Sequence, residues 1–389
     1  MTGRVAQEAA ERMGVTKEIG EGSKTRVFVI GLGLIGGSLA RALRARAREP
    51  LHLSAFDIDS SATRTALEQG VIDEVAPISE GAARADLVVI ATPIGTIADV
   101  FRALADAVSR DTVVTDTASI KEEIVAMAER ILPWPETFIG GHPMAGSERG
   151  GFASSRSDLF ANRPYFLTPT ATTSPDAFKK ANWLVRTVGG RALAVDPREH
   201  DEIVAFNSHL PHLIAWALVK AATERHAFEG VASLSGGSFR DATRVALSSP
   251  SLWRDILGRN ARNLKVAAEG FMAELKSLLE LIERDPDAFV GEVARARDVR
   301  RAMTEPEGLA AAEAYEVEVI IANKPGELAR VTTILGQAQV NIENLEIVHG
   351  VGQGVLMIEV AGEEAAQAAV AALRRAGYEA SYEQSGGES

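Results

Sequence analysis

The junction Val27-Phe-Val-Ile-Gly31-Leu-Gly33-Leu34-Ile35-Gly36-Gly-Ser-Leu-Ala constrains this chain more than any other stretch. An apolar run ends in G-x-G-x-x-G and continues as a helix-forming segment. That order calls for a strand, a tight turn and a helix whose N-terminus faces the turn, as in dinucleotide-binding folds. Gly31 allows the turn, Gly33 lets backbone approach a pyrophosphate, and Gly36 lets the helix pack on the strand. Leu34 and Ile35 open the helix, where unpaired N–H groups favour phosphate. The bland alternative is a turn that uses glycines only for geometry. The next strand-like run ends at Asp57, 21 residues beyond Gly36. A carboxylate there accepts both ribose hydroxyls and repels a 2′-phosphate, so NAD is expected over NADP. Asp57 could instead cap the following helix, a role open equally to Asp59 or Ser60.

The rest of the chain supports an α/β class. Strand-like runs at 26–30, 51–56, 87–91, 112–115, 138–141 and 165–168 alternate with helical segments. This alternation predicts a parallel, Rossmann-type sheet with crossover helices over 25–195. Residues 196–303 read as consecutive helices, too long a stretch for one crossover, and form an all-α domain. Residues 304–314 read as a linker. Residues 315–383 return to a βαββαβ order, the ferredoxin-like arrangement. Residues 1–24 read as a flexible polar extension and 384–389 as a tail. The last module carries ten glutamates against four basic residues, read as a solvated face.

Ligands in open α/β sheets sit outside the carboxyl ends of the strands. Thr92 and Pro93 end one strand, Ser119 follows another and His142 a third. These ends are expected to converge beside the nicotinamide, with Thr92-Pro93 touching the coenzyme. Thr-Pro is also an ordinary strand terminator. A histidine there suits removal of a hydroxyl proton while hydride leaves the same carbon. The chain has no cysteine, which excludes a disulfide scaffold, a cysteine-based metal site and a cysteine nucleophile. Its formal charge of −12 disfavours nucleic acid and anionic membranes. No apolar run spans a bilayer and no signal-peptide core precedes residue 25, so the expected location is cytoplasmic.

Gly141-His142-Pro-Met-Ala-Gly146-Ser-Glu148, with Asp116-Thr-Ala-Ser119-Ile-Lys121, resembles prephenate dehydrogenase, a family that includes arogenate and cyclohexadienyl dehydrogenases. Ser208-His209-Leu-Pro-His212 resembles its substrate helix. Ser235-Gly-Gly-Ser-Phe-Arg240-Asp241-Ala-Thr243-Arg244, then Pro250-Ser-Leu-Trp253, resembles its substrate loop and next helix. The resemblance implies NAD-dependent oxidative decarboxylation of prephenate to 4-hydroxyphenylpyruvate, with arogenate or dual specificity as the alternative. It implies His142 as base, Ser119 as its partner on the substrate hydroxyl, and Arg244 as carboxylate anchor. His212 and His209 line the pocket, and Arg240 and Glu148 pair at its mouth or touch the substrate. Thr243 and Asp241 support Arg244. No metal is needed. The family also implies a homodimer built on the helical domain. Asn323, Pro325, Gly326, Leu328, Asn341 and Ile342 lie in a segment resembling an ACT domain, which implies an amino-acid ligand. Feedback by L-tyrosine is the natural expectation, against a module that only aids dimerisation. A hydroxy-acid dehydrogenase is disfavoured because the only early lysine of the helical domain, Lys220, lies well past His212. A non-catalytic sensor is disfavoured because Ser119, His142 and Arg244 are all present.

Overall fold

The computed structural model describes residues 24–146, 149–225, 236–303, 314–349 and 353–384. The extension at 1–23, Glu148, Ser235, most of the 304–314 linker and 385–389 lie outside the described residues.

The first region is laid down as β1 (Thr25–Ile30), α1 (Leu34–Arg46), β2 (Leu51–Phe56), α2 (Ser60–Glu68), β3 (Glu74–Val75), α3 (Ile78–Ala83), β4 (Leu87–Ile90), α4 (Ile97–Ala105), β5 (Val113–Asp116), α5 (Glu122–Ile131), β6 (Phe138–Pro143), β7 (Pro164–Thr168), α6 (Pro175–Thr187) and β8 (Arg191–Ala194). The strand order is β3-β2-β1-β4-β5-β6-β7-β8. β4 is buried along its whole length and β1 from Val27 on, which explains their unbroken apolar sequence. One core packs between the sheet and α1 and α6; the other lies on the opposite face under α4 and α5.

The sheet is not wholly parallel. β7 runs antiparallel to β6, pairing His142 with Phe166 and Gly141 with Leu167. Among the described residues the 144–163 connection carries a short 3-10 turn, Phe152–Ser154, and no helix to cross over, and β7 returns antiparallel beside β6. α6 and β8 then restore a parallel pair.

The second region contains α7 (Pro197–Val204), a single π-helical turn (Ala205–His209), α8 (Leu210–Arg225), α9 (Gly237–Thr243), a 3-10 turn (Arg244–Leu247), α10 (Pro250–Arg259), α11 (Ala261–Arg284) and α12 (Pro286–Ala302). The sequence reads as continuous helix over 201–225 and 250–283; these stretches are interrupted, at the π turn and at Asn260. Met272, Leu275, Leu279 and Ile282 of α11 recur at three- and four-residue spacing and are exposed. Such a stripe is an apolar face made for another helix surface.

The third region is β9 (Ala314–Ala322), α13 (Glu327–Gln337), β10 (Asn344–His349), β11 (Gln353–Ala361), α14 (Glu363–Arg375) and β12 (Ala380–Gln384). Its antiparallel sheet has the order β10-β11-β9-β12. Val317, Val319, Ile321, Leu356, Ile358 and Val360 alternate onto the face covered by α13 and α14. The opposite face is not left to water. Val355 and Met357 join the core of the first region. Glu318 accepts a hydrogen bond from Asn182 of α6, and Arg186 of α6 pairs with Glu316 at 3.3 Å and Glu383 at 3.2 Å. Burial raises the pKa of Glu318 and of Glu346. The acidic face expected to be solvated is therefore partly a docking seam.

Candidate active site

The glycine turn holds the geometry that its spacing requires. Gly31 has φ +97°, and a Cβ on Gly36 would sit 1.9 Å from the carbonyl oxygen of Gly31. A Cβ on Gly33 would meet nothing within 4 Å, so the turn is open there. Gly33 is the N-cap of α1 and gives no side-chain cap, which leaves the first N–H groups of Leu34 and Ile35 available to an anion. Asp57 accepts from Leu32 N at 2.5 Å and from Asp59 N at 2.7 Å. The cap of α2 is Asp59, through Ser61 N, so Asp57 is not spent on capping. At the end of β4, Thr92 Oγ1 is buried with no hydrogen-bond partner, beside exposed Pro93. A buried hydroxyl without a partner is costly unless a ligand satisfies it. An open glycine turn, an uncapped helix start, a rim carboxylate and this hydroxyl together fit a dinucleotide.

His142 lies at the end of β6 and is 8% exposed. Its Nδ1 is 2.9 Å from His200 Nε2, and His200 Nδ1 is 2.8 Å from Asp201 Oδ1. Asp201 also accepts from Lys121 N at 2.7 Å and Glu122 N at 3.0 Å. Asp196 caps α7, with Pro197 at its first turn, and so places His200 and Asp201 on the helix against β6. No hydrogen bond at His142 Nε2 occurs among the described residues. Ser119 lies half-buried past β5 and has no hydrogen bond to His142; the orienting contact comes from His200. Burial, then the neighbouring His200, Lys121 and His209, hold the pKa of His142 well below the usual histidine value. His200 falls to about 3 and His209 to about 4, both mainly through burial.

Beneath this pair, Lys121 is fully buried and donates from Nζ to Asp116 and, at 2.8 Å, to Gly141 O. Asp116 also accepts from Ala118 N at 2.9 Å and Gly141 N at 3.1 Å. The backbone carrying His142 is thereby fixed from below.

The helical region closes over the same end of the sheet. His209, on the π turn, is 1% exposed, and Asn260 donates to its Nδ1 at 3.1 Å and to Asp201 O at 2.8 Å. π turns are frequent where helices carry functional residues. His212 donates from Nδ1 to Ser208 O at 2.9 Å and lies over Trp253, with ring centroids 3.8 Å apart. Trp253 is buried and also meets His209 and Trp216 edge-on. Arg244 is exposed, has no ion pair among the described residues, and lies close enough to His212 to depress its pKa after burial has done so. Arg240 is likewise exposed. Thr243 donates to Phe239 O at 2.7 Å instead of supporting Arg244. His209 and His212 thus meet at Trp253, with Arg244 near His212. His200, Asp201 and Asn260 were missed by sequence reasoning; the adjacent His-Asp pair three residues past a helix start at Pro197 was the available signal.

In the third region, Gly326 (φ +91°) opens α13, with Asn323, Pro325 and Leu328 exposed around it. Glu327 is taken by Tyr378 Oη at 2.7 Å and Lys324 at 3.3 Å. Asn341 donates to Glu343 at 2.6 Å, and Ile342 packs against the module's own core.

Among the described residues no helix is long and apolar enough to cross a membrane. Three family models match in order: prephenate dehydrogenase, nucleotide-binding domain, over residues 39–194; prephenate dehydrogenase, dimerization domain, over 196–293; and ACT domain over 315–377. A prephenate dehydrogenase of Bacillus subtilis is 31% identical, covering 84% of this chain and 88% of its own. A cyclohexadienyl dehydrogenase of Zymomonas mobilis is 34% identical over 71% of this chain and 95% of its own. The crystal structure of prephenate dehydrogenase from A. aeolicus, in complex with hydroxyphenyl propionate and NAD+, superposes with a TM-score of 0.66 at 33% identity, covering 73% of this chain and 99% of that one. The chain belongs to the prephenate dehydrogenase family, NAD-dependent oxidoreductases, and carries an ACT domain after the dimerisation domain.

Proposed function

We propose that the chain catalyses the oxidative decarboxylation of prephenate to 4-hydroxyphenylpyruvate, as a homodimer of the cytoplasm serving tyrosine synthesis. The observation that carries this reading is His142: a buried, uncharged imidazole at the end of β6, two strands from the β4 end that carries Thr92, with Nε2 uncommitted among the described residues. NAD, when bound, accepts the hydride that leaves ring C4. His142 Nε2 accepts the proton of the C4 hydroxyl, while the C1–carboxylate bond breaks and its electron pair enters the ring as carbon dioxide departs. Ser119 and Thr92 stand at the neighbouring strand ends, where they can hydrogen-bond the hydroxyl and the coenzyme. Trp253 and His212 form an aromatic wall, and Arg244 supplies a planar cation for a carboxylate. The apolar stripe of α11 is the face that pairs with a second copy.

An assay of NADH absorbance with prephenate and with arogenate tests the reading; turnover of prephenate at the higher kcat/KM is expected, and turnover of arogenate alone overturns the substrate assignment. Arg244→Ala is expected to raise the KM for prephenate about 10–100-fold, the scale of a charge-assisted hydrogen bond worth roughly 1.5–3 kcal/mol. A fall confined to kcat would remove Arg244 as the anchor.

The ACT module is proposed to bind L-tyrosine at the start of α13, whose first-turn N–H groups would meet the ligand carboxylate, with Asn323 and Asn341 proposed as side-chain contacts. Gly326→Ala places a side chain at φ +91°, a conformation costing about 1–2 kcal/mol. Steady-state inhibition curves should show a several-fold higher tyrosine concentration for half-inhibition, with uninhibited turnover unchanged. An unchanged curve would put the tyrosine site elsewhere. This substitution is cleaner than truncation, which would uncover the face that buries Val355 and Met357.

A further inference from the structure

We propose that Asp201 and His200 are positioning residues that lock His142 in the Nδ1–H tautomer, leaving the Nε2 lone pair to face the substrate. The inference deepens the proposed reaction and rests on it for its catalytic meaning.

The direction of every proton follows from heavy-atom contacts. Asp201 faces three groups: the backbone N–H of Lys121, the backbone N–H of Glu122 and His200 Nδ1. The two amides can only donate, so both carboxylate oxygens are acceptors. With Asp201 ionised, the form that two donated backbone N–H bonds favour, His200 donates from Nδ1. A neutral imidazole carries one N–H, so His200 Nε2 holds a lone pair. His142 Nδ1, 2.9 Å away, is left to be the donor. The proton of neutral His142 therefore sits on Nδ1, and its Nε2 is unprotonated. The depressed pKa of His200 agrees with the single-proton state that this chain of bonds requires.

The same accounting separates the site's other histidines. Asn263 donates to Asn260 Oδ1 at 2.9 Å, which fixes the Asn260 amide and makes its nitrogen the donor to His209 Nδ1. His209 thus carries its proton on Nε2. His212 donates from Nδ1 to Ser208 O, so its Nε2 is an acceptor. The tautomers are distributed, not uniform, each set by the hydrogen bond that its other ring nitrogen makes.

The alternative is that His200 and Asp201 merely pack α7 on β6 and β7. Two substitutions distinguish the cases. In His200→Gln the side-chain oxygen can take the place of Nε2 as acceptor; His200→Leu has similar bulk and no acceptor. His200→Gln is expected to keep at least about a tenth of wild-type kcat and His200→Leu to lose about 100-fold, with the KM for prephenate and NAD affinity within about threefold for both. Equal losses in the two variants, or losses that track their melting temperatures, would reduce the pair to a structural role. A second readout needs no substrate. In the full-length protein labelled at its seven histidines with nitrogen-15, the His142 signals, identified by their loss in His142→Asn, should show a protonated Nδ1 and a bare Nε2. A protonated Nε2 overturns the inference. If the wild type instead shows the Nδ1–H form but does not turn over prephenate, the tautomer assignment stands and the proposed reaction falls.

Discussion

His142→Asn is expected to lower kcat for prephenate by about 10²–10⁴-fold, the usual contribution of a positioned proton acceptor. Asparagine keeps a hydrogen-bonding group near the C4 hydroxyl but cannot take its proton at neutral pH. NAD affinity, measured by fluorescence titration, should stay within about twofold, because the glycine turn and Asp57 lie on other strand ends. Near-wild-type turnover would remove His142 as the base. The wild-type pH profile supplies a matching check. His142 must be neutral to act, and burial with its cationic and histidine neighbours holds its pKa well below the ordinary value of 6.5. The acid limb of kcat/KM should therefore lie below pH 6.5, and it should vanish from the residual activity of His142→Asn.

The largest effect on stability is expected at Lys121. Its ammonium is fully buried against Asp116, itself 0% exposed, and against the carbonyl of Gly141. Burial pulls the lysine pKa down and the Asp116 carboxylate opposes that shift. Lys121→Met keeps much of the bulk and removes the charge. Asp116 is then left in the core with only the N–H groups of Ala118 and Gly141. Breaking a buried pair from one side costs about 3–5 kcal/mol. Denaturant unfolding should lose that amount, and the melting transition of the nucleotide-binding region should fall by roughly 10 °C. A loss under about 1 kcal/mol would mean that Asp116 tolerates isolation or takes up a proton. Because Lys121 also fixes the strand that ends at His142, residual turnover at low temperature should fall as well.

Much of this was legible in the chain because its signals are local. The G-x-G-x-x-G turn, Asp57 and the apolar runs of β1, β2 and β4 depend on neighbours in sequence, and the βαββαβ order of the last module needed only its alternation. Three things were not legible. β3 and β8 are short and only partly buried, so neither makes an apolar run of recognisable length. The reversal of β7 goes with a 144–163 connection that has no crossover helix among its described residues, which composition does not announce. The bonds from His142 to His200 and on to Asp201 join residues 58 apart and then adjacent ones. Periodicity places a histidine on a helix but does not say which strand that helix will lie against. Asn260 is the same case: it interrupts a helical stretch and looks like a mere break, yet its amide ties Asp201 to His209.

The docking of the last sheet on α6 bears on how portable such a module is. A regulatory unit joined by a linker is commonly imagined as a cassette that can be moved between enzymes. Here the cassette has a fitted socket: Asn182 and Arg186 receive Glu318, Glu316 and Glu383, Lys179 receives Glu379 at 2.6 Å, and Val355 and Met357 complete an apolar contact. Grafting residues 315–383 onto a two-region relative would carry the carboxylates without their cations. A working chimera needs the α6 surface transplanted with the module.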